Sequence, residues 1–504
     1  MSDEIYDIFV IGGGVNGCGI ARDAVGRGLR VGLAEMDDLA SATSSASTKL
    51  FHGGLRYLEY YKFRLVREAL IEREVLLRNM PHISWPMRFV LPLHKDMRPG
   101  WLIRVGLFIY DHLGGRKILP PTKTLDLTRD EAGKPLKSTL EKAFEYSDCW
   151  VQDSRLVVLN AADAKARGAD IMTRSRVISA KRRGSLWEVE IDRQGEYLKI
   201  RTRVLVNAAG PWVASVLHDI AQIDTRENVR LVRGSHIVVK KLFRHERAYF
   251  FQGSDNRIIF AIPYEGDFTL IGTTDRDQGT NIGTPECTAD EADYLRHFAS
   301  EYFRKPIEKD EIVWTFSGVR PLYDDGASSA TEATRDYVLS LNEDGPPLLS
   351  VFGGKITTYR KLAEAAMVKL ENHLDYKSEG WTDKAALPGG DFPHDGVSGL
   401  IRDLERDYPF LQPAEARRLI RTYGSLAPDM LGEARQKEDL GQDFGAGLRE
   451  AEVKWLCEKE FAVTAEDILW RRTKLGLHFA PEQVKLLESW LAEQNRHKNI
   501  RKVS

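Results

Sequence analysis

The chain of 504 residues carries only four cysteines, Cys18, Cys149, Cys287 and Cys457, and no two of them form a CxxC pair. Neither a disulfide framework nor a zinc site is indicated by such a set, and no metal is expected. Long uncharged apolar runs are also missing, since no stretch reaches the ~18 residues of a membrane-crossing helix. Charge of one sign is not in excess: a formal net charge of −2 gives no global attraction to nucleic acid. The first residues are acidic and enter a β-type segment at once, which leaves no room for a secretory signal and predicts a reducing, cytoplasmic setting. What remains is ordinary for a soluble globular protein, with 42% hydrophobic and 29% charged residues. One core does not serve a chain this long, so two or three domains are expected.

Against that background the first fifty-six residues stand out. The run from Tyr6 to Ile11 is nearly continuous apolar and β-branched, as suits a strand buried on both faces of a parallel sheet. Gly12-Gly13-Gly14-Val15-Asn16-Gly17 follows directly. Gly12 permits a tight turn, Gly14 lets backbone approach a pyrophosphate, and Gly17 lets the next helix lie close to the strand. That helix is predicted over about 16–27 and aims its N-terminal amides and partial positive charge at phosphates. A second strand, predicted over about 29–34, ends at Glu35, eighteen residues after Gly17. A carboxylate there accepts hydrogen bonds from both ribose hydroxyls and repels a 2′-phosphate.

Strand, helix, second strand and terminal acid in this order indicate a dinucleotide. After Glu35 the sequence enters a Ser/Thr-rich loop instead of a third regular βα unit, which favours FAD over a nicotinamide. A bound flavin requires the chain to return to it. Two more strand-glycine segments do so, 203–212 with Gly210 and 348–355 with Gly353 and Gly354.

Between these segments, 236–239, 248–251 and 257–263 are short β-type runs separated by turn residues, closed by 269–275; they predict an antiparallel sheet able to roof a flavin. Beyond the turn-rich linker 387–393, amphipathic helical patterns dominate, as in 414–423, 448–460 and 481–494. The fold class expected is therefore α/β, α+β overall: a Rossmann-type FAD-binding domain, an antiparallel-sheet substrate domain and a C-terminal all-helical domain. The first two share about 1–385, the FAD part taking about 1–75, 150–225 and 335–380 and the roof about 76–149 and 226–334; the helical domain takes 386–504.

Cationic and proton-transfer groups accompany the glycine-rich turns. His52, Arg56 and Tyr57 follow the Ser/Thr loop, Arg320 lies in 314–321, Lys355 follows Gly353-Gly354, and His236 opens the roof sheet. Arginine stays charged and cannot take a proton, so a base falls to His52 or His236, between which the sequence does not choose. One further segment, 98–117, carries a dense apolar run with Trp101 and Tyr110 near its ends and Arg98, Arg116 and Lys117 on its flanks. It reads either as a buried core helix or as a helix lying in a bilayer interface.

The Gly12–Gly17 fingerprint, 42–58 (ATSSASTKLFHGGLRYL), 233–239 (RGSHIVV), 272–275 (GTTD), 317–321 (SGVRP), 352–360 (FGGKITTYR) and the C-terminal 465–474 together resemble the FAD-dependent glycerol-3-phosphate dehydrogenases of the bacterial respiratory type. They form part of the D-amino-acid-oxidase-like flavoproteins. The resemblance runs over essentially the whole chain. It implies oxidation of sn-glycerol 3-phosphate at C2 to dihydroxyacetone phosphate, with FAD held noncovalently and contacted by Gly12, Gly14, Gly17, Glu35, Thr43, Ser44, Ser47, Gly53, Gly54, Val177, Gly210, Gly353, Gly354, Lys355 and Thr357. Arg56, Tyr57, Arg320 and Lys355 would hold the substrate phosphate and C2 oxygen, and His52 or His236 would serve as base. Electrons would pass to membrane quinone from a homodimer attached peripherally to the inner leaflet through 98–117. The rivals are a flavin oxidase for an amino or hydroxy acid, which needs fewer cations, and a non-catalytic FAD-binding scaffold.

Overall fold

A computed structural model describes residues 5–253, 257–279, 282–324, 336–376 and 379–503 of the chain, with side chains described as far as 496. The strand Ile5–Ile11 is the centre of the first sheet, because its buried β-branched residues have a parallel neighbour on either side: Val31–Ala34 on one and Glu196–Asn207 on the other. The order across this sheet is Val338–Asn342, Leu348–Phe352, Glu196–Asn207, Ile5–Ile11, Val31–Ala34, Asp170–Met172. An antiparallel extension, Arg176–Arg183 on Leu186–Arg193, attaches to Glu196–Asn207. The helices Val15–Gly26, Asp153–Ala166 and Tyr359–Leu370 carry buried residues into the same apolar core as Ile8, Val10 and Val206.

The second sheet runs Arg276–Asp277, Val229–Lys240, Phe268–Gly272, Ile258–Tyr264, Ala248–Gln252, Ser84–Pro92, Lys142–Val151, Leu50–Phe51. Ile312–Tyr323 adds to Val229–Lys240 and Lys123–Asp126 to Lys142–Val151. The expected roof is therefore present, with one difference. Ala248–Gln252 and Ser84–Pro92 pair in parallel, because residues far apart in sequence supply the two halves of the sheet. Leu50–Phe51, only fifteen residues past Glu35, already belongs to this second sheet. The roof boundary expected near 334 lies outside the described residues.

Past residue 396 the chain forms the helices Val397–Asp407, Pro413–Tyr423, Glu450–Lys459 and Pro481–Val503, with an apolar core of their own. The helical pattern expected from 448 begins instead with a hairpin, Asp443–Gly445 against Leu448–Arg449. Gly445, Ala446 and Gly447 all take positive φ, which turns the chain into an extended pair before the helix starts. This helical region is tied to the first sheet's helices by charge: Arg155 Nη2 donates to Glu460 Oε1 at 3.0 Å and to the Thr422 carbonyl at 2.9 Å, with all of these groups buried.

Breaking a buried pair strands one charge, at about 3–5 kcal/mol. Arg155→Met is accordingly expected to lower the urea midpoint by that much stability, whereas Arg155→Met with Glu460→Leu recovers most of it. Equal midpoints for the single variant and the parent would show that the pair does not hold the two regions together.

Candidate active site

A cavity of about 1050 Å³ is walled by residues of both sheets. One end begins at the glycine turn. Gly12 has φ +111°, and a Cβ there would meet the Ala208 carbonyl oxygen at 2.5 Å, so only glycine lets Ile5–Ile11 and Glu196–Asn207 end side by side. A Cβ at Gly17 would lie 1.9 Å from the Gly12 oxygen, which is the close approach of helix to turn that the sequence suggested. A Cβ at Gly14, in contrast, would meet only Ser44 Oγ, at 3.2 Å, and Gly14 lines the cavity. The helix Val15–Gly26 thus presents its N-terminus to open space, with the Val15 amide donating to Ser44 Oγ at 3.0 Å. Asn16 donates to the Gly353 carbonyl at 3.1 Å and leaves its buried Oδ1 without a partner in the same wall. Glu35 accepts from the amides of Gly13 at 2.6 Å and Asp37 at 2.9 Å. Burial raises its pKa, and those two amides oppose the rise. A bared helix N-terminus, a backbone turn without side chains and a fixed terminal carboxylate suit an adenine dinucleotide.

The loop that follows crosses from the first sheet to the second and is pinned by one carboxylate. Asp153 accepts from Ser47 Oγ at 2.7 Å, the Ser47 amide at 3.2 Å, the Ser154 amide at 2.9 Å and Lys49 Nζ at 2.9 and 3.0 Å. Lys49 is itself 1% exposed and takes φ +61°, and its ammonium also donates to the Ser45 carbonyl and lies 4.9 Å from the Phe316 ring. Thr43 Oγ1 donates to the Val319 carbonyl at 2.6 Å, which fastens the same loop to the roof.

The sequence-predicted residues separate into two groups. Gly12, Gly14, Glu35, Thr43, Ser44, Ser47, His52, Gly54, Arg56, Tyr57, Val177, Gly210, Arg320, Gly353, Gly354, Lys355 and Thr357 all line the cavity. Gly17, Gly53 and His236 do not. Gly53 is behind the wall, its amide donating to Tyr110 Oη at 2.7 Å and to Asp148 at 3.3 Å. His236 is fully buried, stacked on Phe316 at 4.7 Å, with Nε2 3.0 Å from Thr48 Oγ1 and Nδ1 unpartnered. Thr48 does line the cavity, so His236 reaches it through that hydroxyl.

Both histidines are held neutral. Burial, reinforced by the charges of Lys355 and Arg73, brings the His52 pKa down to about 4. Burial, then Lys49 and Arg320, takes His236 well below its ordinary value. The Lys355 ammonium lies 4.2 Å from the Tyr57 ring centroid. Arg320 forms an ion pair with Asp275 and donates to Thr273 Oγ1 at 3.1 Å. Thr48, Thr273, Asp275 and Arg257 line the cavity and were missed as site residues. The GTTD run offered a signal, a carboxylate just past a glycine at a strand end, but nothing in it named Arg320 as its partner.

Residues 98–117 resolve into the helix Gly100–Leu113, which buries Leu107, Tyr110 and Asp111 and leaves Trp101 70%, Val105 47% and Phe108 55% exposed. It is an amphipathic surface helix, not a core one. Tyr60, Tyr61 and Phe63, exposed as well, line the lip of the cavity. Among the described residues no helix is long and apolar enough to cross a membrane.

Residues 7–360 match the family of FAD dependent oxidoreductases, and residues 381–498 match the C-terminal domain of alpha-glycerophosphate oxidase. The chain is 50% identical to D-erythritol 1-phosphate dehydrogenase of Brucella abortus, the alignment covering 98% of this chain and 99% of the relative. It is 49% identical to glycerol-3-phosphate dehydrogenase of Pseudomonas aeruginosa over 98% and 96%. The crystal structure of glycerol-3-phosphate dehydrogenase from Bacillus halodurans complexed with FAD superimposes with a TM-score of 0.78 at 28% identity, covering 98% of this chain and 91% of that one. The cofactor that the turn, helix and carboxylate suit is thus FAD.

Lys49→Met leaves Asp153 buried without its cation, at about 3–5 kcal/mol. The variant is expected to purify with reduced flavin content and a lower thermal midpoint; full yellow colour at unchanged midpoint would remove this ion pair as the anchor of the loop.

Proposed function

Since the chain belongs to the FAD-dependent glycerol-3-phosphate dehydrogenases, we propose that it oxidises the secondary alcohol of sn-glycerol 3-phosphate to dihydroxyacetone phosphate and passes the electrons to a membrane quinone. The observation that carries this reading is the convergence of Arg56, Arg320 and Lys355 on one cavity whose other end suits a dinucleotide. FAD, when bound, supplies a hydride acceptor for C2. The chain supplies the rest. A phosphate near dianionic at neutral pH needs fixed cations, and arginine offers a rigid fork for it. Arg320, kept in position by Asp275 and Thr273, and Arg56, 3.5 Å from the Tyr60 hydroxyl, are assigned to that phosphate. Lys355, against Tyr57, is assigned to the C2 oxygen. Holding the unreactive phosphate orients C2 and excludes water from it.

Two histidines are available for the C2 hydroxyl proton. His52 takes it directly from the cavity, and His236 takes it through Thr48 Oγ1. Both are neutral at pH 7 and so have a lone pair, because burial, and after it the neighbouring cations, disfavours their charged form. The 50% identity to a D-erythritol 1-phosphate dehydrogenase motivates a second substrate, a four-carbon polyol phosphate bearing the same phosphate handle.

Anaerobic titration tests the reading. Flavin absorbance is expected to bleach with sn-glycerol 3-phosphate and not with glycerol, and comparison with D-erythritol 1-phosphate ranks the two substrates; bleaching by an amino acid alone would overturn it. Arg320→Ala is expected to cost about 2–5 kcal/mol in kcat/KM, about thirtyfold to several thousandfold, because it also leaves Asp275 unpaired. With His52 as base, Lys355→Met is expected to move the His52 limb of kcat/KM up from near pH 4 by removing one depressing charge, while burial, the larger cause, keeps it below the ordinary value; the second ionisation of the substrate phosphate, about pH 6, is told apart by its indifference to His52→Gln. A limb indifferent to His52→Gln but lost in His236→Gln assigns the proton to the Thr48 route.

Access to quinone is assigned to the face formed by Trp101, Leu102, Val105 and Phe108, with Arg98, Arg116 and Lys117 flanking it, seated in the cytoplasmic leaflet. Replacing Trp101, Val105 and Phe108 by serine is expected to abolish co-flotation with anionic liposomes and quinone reduction while sparing reduction of a soluble dye. Unchanged flotation would discard this surface.

A further inference from the structure

Side chains of the C-terminal region grip residues directly behind the adenosine end of the cavity, without lining it themselves. Two backbone segments wall that end, 35–37 and 175–177. They are stitched together by main chain, the Ser175 amide donating to the Glu35 carbonyl at 2.8 Å and the Arg174 amide to the Asp37 carbonyl at 2.9 Å. Each then continues into a charged residue gripped from the C-terminal side. Asp38, 2% exposed, accepts from Arg472 Nη1 at 2.7 Å and Nη2 at 2.8 Å and from Arg471 Nε at 2.6 Å. Arg174 donates to Asp467 at 2.6 Å.

These grips share parts. Arg471 also donates to Asp467 at 2.6 Å, and Asp467, fully buried, accepts from the amides of Val463 at 2.8 Å and Thr464 at 2.9 Å. Arg472 Nε donates to the Glu460 carbonyl at 2.9 Å, which fixes its fork against the helix Glu450–Lys459. Arg174 takes φ +52°, a conformation that a bulky residue keeps only when its surroundings enforce it. Two walls of one pocket are therefore each held by a charge-assisted contact to a single π-helical turn, Asp467–Arg472, the Asp38 contact buried and the Arg174 contact partly so.

We propose that this turn is a clamp on the adenosine end of the flavin site: Asp38, Arg174, Asp467, Arg471 and Arg472 are positioning residues that keep Glu35 in its ribose-binding geometry. The proposal rests on the reading of Glu35 as the ribose carboxylate. Coupling of this kind is reciprocal, so bound FAD must in turn hold the C-terminal turn in place.

The test is FAD rebinding to deflavinated full-length protein, followed by flavin fluorescence, together with the rise in thermal midpoint that FAD produces. Arg472→Gln is expected to weaken FAD binding about tenfold or more and to shrink that rise, with Arg472→Lys falling between it and the parent because it keeps charge and loses the fork. A residue of merely structural role lowers the apo and holo midpoints together; an unchanged rise with affinity within about twofold of the parent overturns the clamp. Glu35→Gln serves as the reference. If it binds FAD like the parent, the ribose assignment is at fault; if it binds weakly while Arg472→Gln does not, the clamp is. Should Arg472→Gln not fold, amide exchange of the unaltered protein decides: residues 463–473 are expected to gain protection on FAD binding along with 35–41, and protection confined to 35–41 overturns the proposal.

Discussion

The structure depends above all on the carboxylate of Asp153. The loop from Thr43 to Lys49 leaves the sheet that carries the glycine turn and delivers Leu50–Phe51 to the other sheet, so it must pass along the cavity that both sheets wall. A Ser/Thr-rich loop has no apolar surface with which to anchor itself. Asp153 supplies the anchor, collecting two amides, a hydroxyl and an ammonium in a site from which water is excluded. Low local polarity strengthens each of those bonds and makes a missing one costly, so the arrangement is close to all-or-none. The strained backbone of Lys49 is a consequence: its side chain must turn back to Asp153 while the chain runs on to the second sheet.

From that anchor the electrostatics of the site follow. Burial keeps both histidines neutral, reinforced at His236 by Lys49 and Arg320 and at His52 by Lys355 and Arg73. The cavity is thus lined by cations while His52 and His236 stay neutral. Arg320 adds a control of its own. Its pairing with Asp275 means that any anion approaching the guanidinium has to compete with a carboxylate already in place, which favours a ligand of higher charge over a monoanionic one.

Much of this was legible in the sequence, for a physical reason. The spacing of Gly12, Gly14, Gly17 and Glu35 is dictated by contacts within one βαβ unit, so local sequence encodes it. The β-type runs of the roof and the surface-facing helices carried their own periodicities in the same way. What stayed hidden were pairings made across long separations. Lys49 meets Asp153 only because Leu50–Phe51 pairs with Lys142–Val151, Arg320 meets Asp275 only because Ile312–Tyr323 and Arg276–Asp277 both lie against Val229–Lys240, and Thr48 stands between His236 and the cavity only because His236 points into the roof. The segment 98–117 was ambiguous for a related reason. Its apolar pattern fits a core or a surface equally, and the choice rests on whether a partner covers Trp101, Val105 and Phe108, which no local pattern states.

That same helix binds the exterior to the site. Its buried side delivers Tyr110 to the loop that carries His52 and Arg56: the Tyr110 hydroxyl accepts from the Gly53 amide and donates to Asp148, and Asp148 in turn pairs with Arg73 at 2.7 Å. All three side chains are buried, and Gly53 has no room for a Cβ beside Tyr110 and Leu70. Rotating or sliding Gly100–Leu113 would leave a buried amide and a buried carboxylate short of partners, at about 1–3 kcal/mol for each lost bond. The exposed apolar face is consequently locked in orientation to the loop that carries His52 and Arg56. Whatever seats that face also fixes the direction in which the lip formed by Tyr60, Tyr61 and Phe63 opens.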